Sequence, residues 1–160
     1  SFVKRFDQAS SDTDLVTRAA AIGRSPYEIL IIASLLQGEG TPNDFAKIAR
    51  VVYNRLEAGM PLQFDSTVAY GLGITRLNLT QDQLDSSTPY NTYVVKGLPP
   101  TPINSPGDAA IEAALNPAKG KWLYFVTVNP ETKETKFAKS YEKFLEIKRE
   151  YQAYLDSKES

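Results

Sequence analysis

The stretch SPYEILIIASLLQGEG (residues 25–40) decides how this chain is built. A hydroxyl, a proline and an acid three residues after the hydroxyl make a helix start. Ser25 caps free backbone N–H groups, Pro26 suits the first helical position, and Glu28 closes a capping box. The following ILIIASLL is apolar almost all round, so the helix predicted over 26–38 is buried on every side. At its far end one carboxylate, Glu39, stands between Gly38 and Gly40. Two readings are open: a solvated helix end, or an acid held partly desolvated because it has a proton to give. The flanking glycines let a second backbone or a ligand come close.

Working outward, the same Ser/Thr-Pro-x-acid device recurs in TPND (41–44) and SPGD (105–108), predicting helices over 42–58 and 106–115. Phe45, Ile48, Ala49, Val52 and Leu56 form the inner stripe of the first of these, and Gly59 stops it. An earlier helix is expected over 12–22. KWLYFVTVN (121–129) reads as a strand from its aromatic and β-branched content, with TKFAKS (135–140) as its hairpin partner. Helical spacing of Phe, Leu, Ile and Tyr among charges predicts a terminal amphipathic helix over 141–155. Between residues 60 and 104 periodicity is weak and Pro, Gly, Tyr, Asn and Thr are frequent. A compact domain rarely spends ~40 residues in that way unless the loops have work to do. The expected class is α+β: one helix-rich domain, 1–160, with a small antiparallel hairpin and long functional loops.

Composition narrows the chemistry. The chain has 160 residues, no Cys, no His and a net charge of −1. Thiol and imidazole nucleophiles are thereby excluded, along with disulfides and the usual zinc ligands. The charge balance gives no reason to expect nucleic acid. No run approaches the ~20 apolar residues of a membrane span. General acids and bases must come from Asp, Glu, Lys and Tyr. Glu28, Asp44 and Asp108 are read as capping acids; Glu57, Glu112, Glu142, Glu146 and Glu150 sit at solvated helical positions. Glu39 and Asp65 fit neither account, although Asp before Ser66-Thr67 is also a common turn residue. In the loops, Tyr70, Tyr90, Asn91, Thr92, Tyr93 and Asn104 set aromatic faces beside uncharged hydrogen-bonding groups. As a set they suit a neutral polyhydroxylated ligand such as a sugar; any one tyrosine alone is explained by packing against the core.

The series LLQGEG, IARVVYNRL, GMPLQFDSTVAYGLG, TPYNTY, GLPPTPINSPG, AIEAALNPA and WLYFV, running over about 29–144, closely resembles the YceG-like family in order and spacing. The resemblance implies a domain that cleaves peptidoglycan at the extracytoplasmic face of the bacterial cell membrane. It also implies a parent protein with a single-pass anchor and a small LysM-like module outside this chain, and peptidoglycan synthases as partners. The family's catalytic acid, the second in a pattern like E-K-E-[AT]-G, falls on Glu39, with Gln37 in the first acid's place. The polar positions of its LQ-x-D-x-T-V segment fall on Gln63, Asp65 and Thr67, and those of its YNTY segment on Tyr90, Asn91, Thr92 and Tyr93. Phe64 stands where Ser or Thr is usual and Thr101 where Gly is usual. Histidines carried by many members fall near Thr135 and Phe144, so an active domain here works without them.

The activity implied is that of an endolytic lytic transglycosylase. It cuts the MurNAc-β-1,4-GlcNAc bond to leave 1,6-anhydro-MurNAc, with Glu39 as acid and then base and with no metal or organic cofactor. Gln63, Asp65, Thr67, Tyr70, Tyr90, Asn91, Thr92, Tyr93 and Asn104 are the expected glycan-binding residues. The rival reading is a non-catalytic peptidoglycan-binding or scaffold domain. A pyridoxal-phosphate lyase, a third reading, would need a buried lysine and a phosphate-cradling glycine loop, and the sequence offers neither.

Overall fold

The computed structural model describes residues 14–75, 79–129, 131–132 and 134–159. In chain order the elements are α1 (Leu15–Ala21), α2 (Pro26–Glu39), a 3-10 turn (Pro42–Asp44) running into α3 (Phe45–Ala58), α4 (Asp65–Leu72), α5 (Gln81–Leu84), α6 (Asp108–Leu115), strands β1 (Tyr124–Asn129) and β2 (Glu134–Ala138), and α7 (Tyr141–Glu159). The class is α+β, with β1 and β2 forming a two-stranded sheet. Residues 12 and 13 of the first predicted helix lie outside the described residues. No single helix among the described residues is long and apolar enough to cross a membrane.

Helix α2 is the axis of the molecule. Ser25 Oγ accepts from the Glu28 N–H while the Glu28 carboxylate accepts from the Ser25 N–H, the reciprocal cap expected from SPYE. Every residue from Ile29 to Leu36 is buried. Helices α1, α3 and α6 pack around it, bringing Leu15, Ile48, Val52, Ile111 and Leu115 into one core with its leucines and isoleucines. Each fully buried Leu or Ile stabilises such a core by roughly 1.5–3 kcal/mol relative to exposure.

The other two helix starts differ from expectation. Thr41 makes no side-chain cap; Pro42–Asp44 winds as a 3-10 turn and the α-helix begins only at Phe45. In SPGD the cap position is Gly107, and the helix begins at Asp108 rather than two residues earlier. The Gly107 N–H donates instead to Gln37 Oε1 of α2 at 3.0 Å. A tertiary acceptor thus replaces the local hydroxyl, and Pro106 is drawn into the interior. The segment expected to be loop also contains α4 and α5. Helix α5 starts on a capping box without proline, in which Thr80 and Gln83 satisfy each other's backbone N–H groups.

Helix α3 serves two partners. Phe45, Ile48, Ala49 and Val52 are buried as predicted, Leu56 only partly so, and Val51 and Arg55 join them. Its polar side chains pin the irregular segment that leads into the sheet. Arg50 Nε donates to the Ala118 carbonyl, Asn54 Nδ2 to those of Gly120 and Trp122, and Arg55 Nε to that of Leu123. In the sheet, Tyr124 pairs with Ala138 and Phe125 with Phe137, and a bulge falls between Thr127 and Asn129. Helix α7 packs across both strands and continues to Glu159, beyond the predicted end.

Candidate active site

The apolar run of α2 delivers Glu39, its last residue, to the start of α4, whose first turn carries Asp65 and Ser66. Glu39 Oε2 accepts from the Ser66 N–H at 3.4 Å. The Ser66 hydroxyl also faces this carboxylate but stops short of a formed hydrogen bond. Two helix ends with opposite partial charges therefore meet at one side chain. The C-terminal end of α2 disfavours an anion, and the exposed N–H groups of α4 favour one. Burial decides the outcome. Glu39 keeps part of its surface in a cleft, but protein crowds its carboxyl group. Desolvation, helped by the nearby Asp65 charge, lifts its pKa to about 7 against the opposing pull of Ser66. At neutral pH the group is thus divided between a form that can give a proton and one that can take it.

Asp65 is held differently. Its Oδ1 accepts a short hydrogen bond from the Tyr93 hydroxyl. Burial first, then this bond and the charges of Asp65 and Glu39, push the Tyr93 phenol well above its ordinary value, so Tyr93 remains a neutral donor. Gln63, two residues before Asp65, sits in the left-handed region at φ 60°, a conformation uncommon outside glycine and often found at functional sites.

These groups line one wall of a cleft of about 660 Å³. The opposite wall comes from the hairpin and α7: Tyr124 stacks on Phe144 with ring centroids 5.2 Å apart, and Tyr141 packs against both. Arg55 joins the two walls. It is 7% exposed; Nε bonds Leu123, and Nη1 bonds the carbonyls of Pro61 and Leu62, with Gln63 Oε1 at 3.4 Å. Its guanidinium lies 5.1 Å from the Tyr124 ring centroid. Sequence reasoning missed Arg55, Tyr124, Tyr141 and Phe144. The signals were present: a cation on the apolar stripe of α3, and aromatics at i, i+3 in YEKF.

The structure brings Gln63, Asp65 and Tyr93 together with Glu39 in this cleft. Thr67, Asn91 and Thr92 are buried behind it. Thr67 Oγ1 and Thr92 Oγ1 are 2.9 Å apart, Thr92 Oγ1 accepts from the Phe64 N–H, and Asn91 Nδ2 donates to the carbonyls of Leu84 and Ser86. Thr67 and Thr92 thus hold the 90–93 turn against α4, and Asn91 ties it to the end of α5, rather than facing the cleft. Tyr70 and Asn104 line a separate hollow, and Tyr90 packs against Tyr70 while its hydroxyl bonds Thr101 Oγ1. Among the described residues no cluster of three or more metal-ligating side chains occurs.

Comparison with known proteins places the chain in a lineage. The chain is 43% identical over 121 residues to a Bacillus subtilis protein named endolytic murein transglycosylase, covering 74% of this chain and 34% of that one. A Streptococcus pneumoniae protein of the same name is 41% identical over 105 residues, covering 62% and 19%. A crystal structure of a YceG-like protein from Listeria monocytogenes superposes with a TM-score of 0.80 at 38% identity, covering 88% of this chain and 45% of that one. The chain therefore spans about a third or less of these curated relatives. The YceG-like family model matches residues 1–150, and the chain belongs to the YceG-like family.

Proposed function

We propose that this domain is an endolytic peptidoglycan lytic transglycosylase in which Glu39 acts first as acid and then as base. The observation that carries the reading is the Glu39 carboxyl, desolvated to a pKa of about 7 inside an aromatic-walled cleft. The names of the relatives agree with it. Protonated Glu39 gives its proton to the glycosidic oxygen as the C1–O bond of MurNAc breaks. The substrate's own N-acetyl carbonyl stabilises the oxocarbenium-like centre. Ionised Glu39 then takes the proton from the C6 hydroxyl, whose oxygen bonds to C1 and closes a 1,6-anhydro ring. No water is consumed. An intramolecular hydroxyl held beside the reacting carbon has a large effective-concentration advantage over solvent. An ordinary glycosidase needs a second carboxylate as base or nucleophile; here Asp65 is occupied by Tyr93 and serves to position.

Mass spectrometry of glycan strands digested by the domain is the test. Ends should be 1,6-anhydro-MurNAc; reducing MurNAc as the main species would mean that water attacks and the mechanism is wrong. Asp65→Asn should keep measurable turnover. Because the Asp65 charge raises the Glu39 pKa, its removal should also move the alkaline limb of the pH–rate profile toward lower pH. A variant as inactive as Glu39→Gln, with its fold intact, would point to a two-carboxylate mechanism. The parent protein, in this reading, acts at the extracytoplasmic face of the membrane beside peptidoglycan synthases.

A further inference from the structure

An enzyme that cuts within a strand must hold sugars on both sides of the scissile bond, and the cleft of Gln63, Tyr93 and Tyr124 shares no lining residue with a second hollow nearby. Leading toward that hollow, α2 presents Tyr27, Ile31, Ser34 and Gly38 at helical spacing along a single stripe. Gly38, directly before Glu39, is surface-exposed, and a Cβ there would lie 3.3 Å from Ser66 Cβ and 3.6 Å from Ile103 Cδ1. The 101–105 segment runs alongside, tied to α2 by the Ile103 N–H donating to Ser34 Oγ and by Asn104 Nδ2 donating to the Ser34 carbonyl. Along α4, Ser66 faces Glu39, and Tyr70 lies one turn further on the same face. These three borders enclose a trough of about 340 Å³ between the rings of Tyr27 and Tyr70, floored by Ile103 and Asn104.

Two features give the trough its chemistry. None of the described residues lining it is charged, in contrast to the Glu39 cleft, where Asp65, Arg55 and Lys148 contribute. Among the described residues, three buried side-chain polar atoms have no hydrogen-bond partner, and one of them, Asn104 Oδ1, belongs to a residue that lines the trough. A buried acceptor without a donor is costly and calls for a partner. Nδ2 is committed to the Ser34 carbonyl, so a donor reaches Oδ1 only if the 101–105 segment shifts to open it.

The geometry points to this trough as the second arm of the glycan cleft, binding an uncharged β-1,4-linked N-acetylhexosamine segment between Tyr27 and Tyr70. The inference rests on the glycan-cleaving reading and adds to it: Glu39 stands at mid-cleft, one arm is charged, and the other is neutral and indifferent to stem-peptide charge.

Glycan strands of graded length, stripped of stem peptides by amidase, supply the test. For the wild-type chain kcat/KM should climb with strand length until both arms are filled. Tyr27→Ala/Tyr70→Ala should flatten that climb and raise KM on long strands about tenfold, as expected for loss of aromatic anchors. Both rings are exposed, at 39% and 47%, so truncation spares the core, and Tyr70→Phe, which keeps the contact with Tyr90, should restore most of the loss. A double variant with wild-type KM and length dependence overturns the inference and leaves the proposed reaction standing. If the wild type cleaves nothing, the proposed reaction falls, and the affinity of Glu39→Gln for the same strands, with and without the two tyrosines, still decides whether the trough binds glycan.

Discussion

Glu39→Gln is expected to reduce glycan cleavage by about 10³-fold or more while making the folded protein more stable at alkaline pH. The kinetic part follows from removing the only proton donor and acceptor proposed for the reaction, since a positioned general acid–base group typically contributes 10²–10⁴-fold. The stability part follows from linkage. An acid whose folded pKa lies above its unfolded value binds more protons when folded. Below about pH 4.5 both states are protonated and there is no penalty; the penalty grows as pH rises and is complete above about 7. A shift of this size corresponds to at most about 3 kcal/mol, and partial contact of Glu39 with the cleft reduces it to roughly 1–3 kcal/mol. The neutral amide of the variant would carry no such penalty, so urea unfolding at pH 8 should show the variant to be more stable, with the difference shrinking toward zero at pH 4.5. Equal stabilities at both pH values would mean that the carboxyl is not desolvated. The trade is the familiar one between an active site and the stability of its fold.

The second large effect is expected at Arg55. Its Nε and Nη1 satisfy the carbonyls of Leu123, Pro61 and Leu62, which belong to the segments forming the two walls of the cleft. Arg55→Met fills similar space but leaves those carbonyls without a donor in a region where water enters poorly. Unpaired buried groups cost about 1–3 kcal/mol each, and some relaxation will occur, so an overall loss of about 3 kcal/mol is expected. For a chain of this size that lowers the unfolding midpoint by roughly 6–12 °C. Arg55→Lys should not rescue it, because a single ammonium nitrogen cannot reach the carbonyls of both segments at once as the separate nitrogens of a guanidinium do. Burial already pulls the Arg55 pKa down, and the residue remains a cation that the carbonyl dipoles stabilise. Thermal melts followed by circular dichroism decide the matter: a Lys variant within about 0.5 kcal/mol of wild type would show that the fork geometry is dispensable.

How much of this was legible beforehand depends on how local the physics is. The SPYE cap, the all-apolar run behind it and the position of Glu39 at its end are short-range facts, and α2 follows them almost to the residue. The inner stripe of α3 and the pairing of β1 with β2 were also legible, since periodicity reports which face is buried. What sequence could not supply was the set of partners. SPGD carries a good local cap, yet the Gly107 N–H goes to Gln37, seventy positions earlier, because packing α6 on α2 puts that acceptor within reach. Thr67, Asn91 and Thr92 have the same side-chain chemistry as cleft residues, and only the fold turns them inward to tie the 90–93 turn to α4 and to the end of α5. Tyr70 and Asn104 were grouped by composition with Tyr93, but α4 and the 101–105 segment carry them to a separate hollow. The residue types are written locally in the chain. The desolvation that lifts Glu39 to a pKa of about 7 exists only once the start of α4 is packed against the end of α2, because a carboxyl loses its water only when other parts of the chain exclude it.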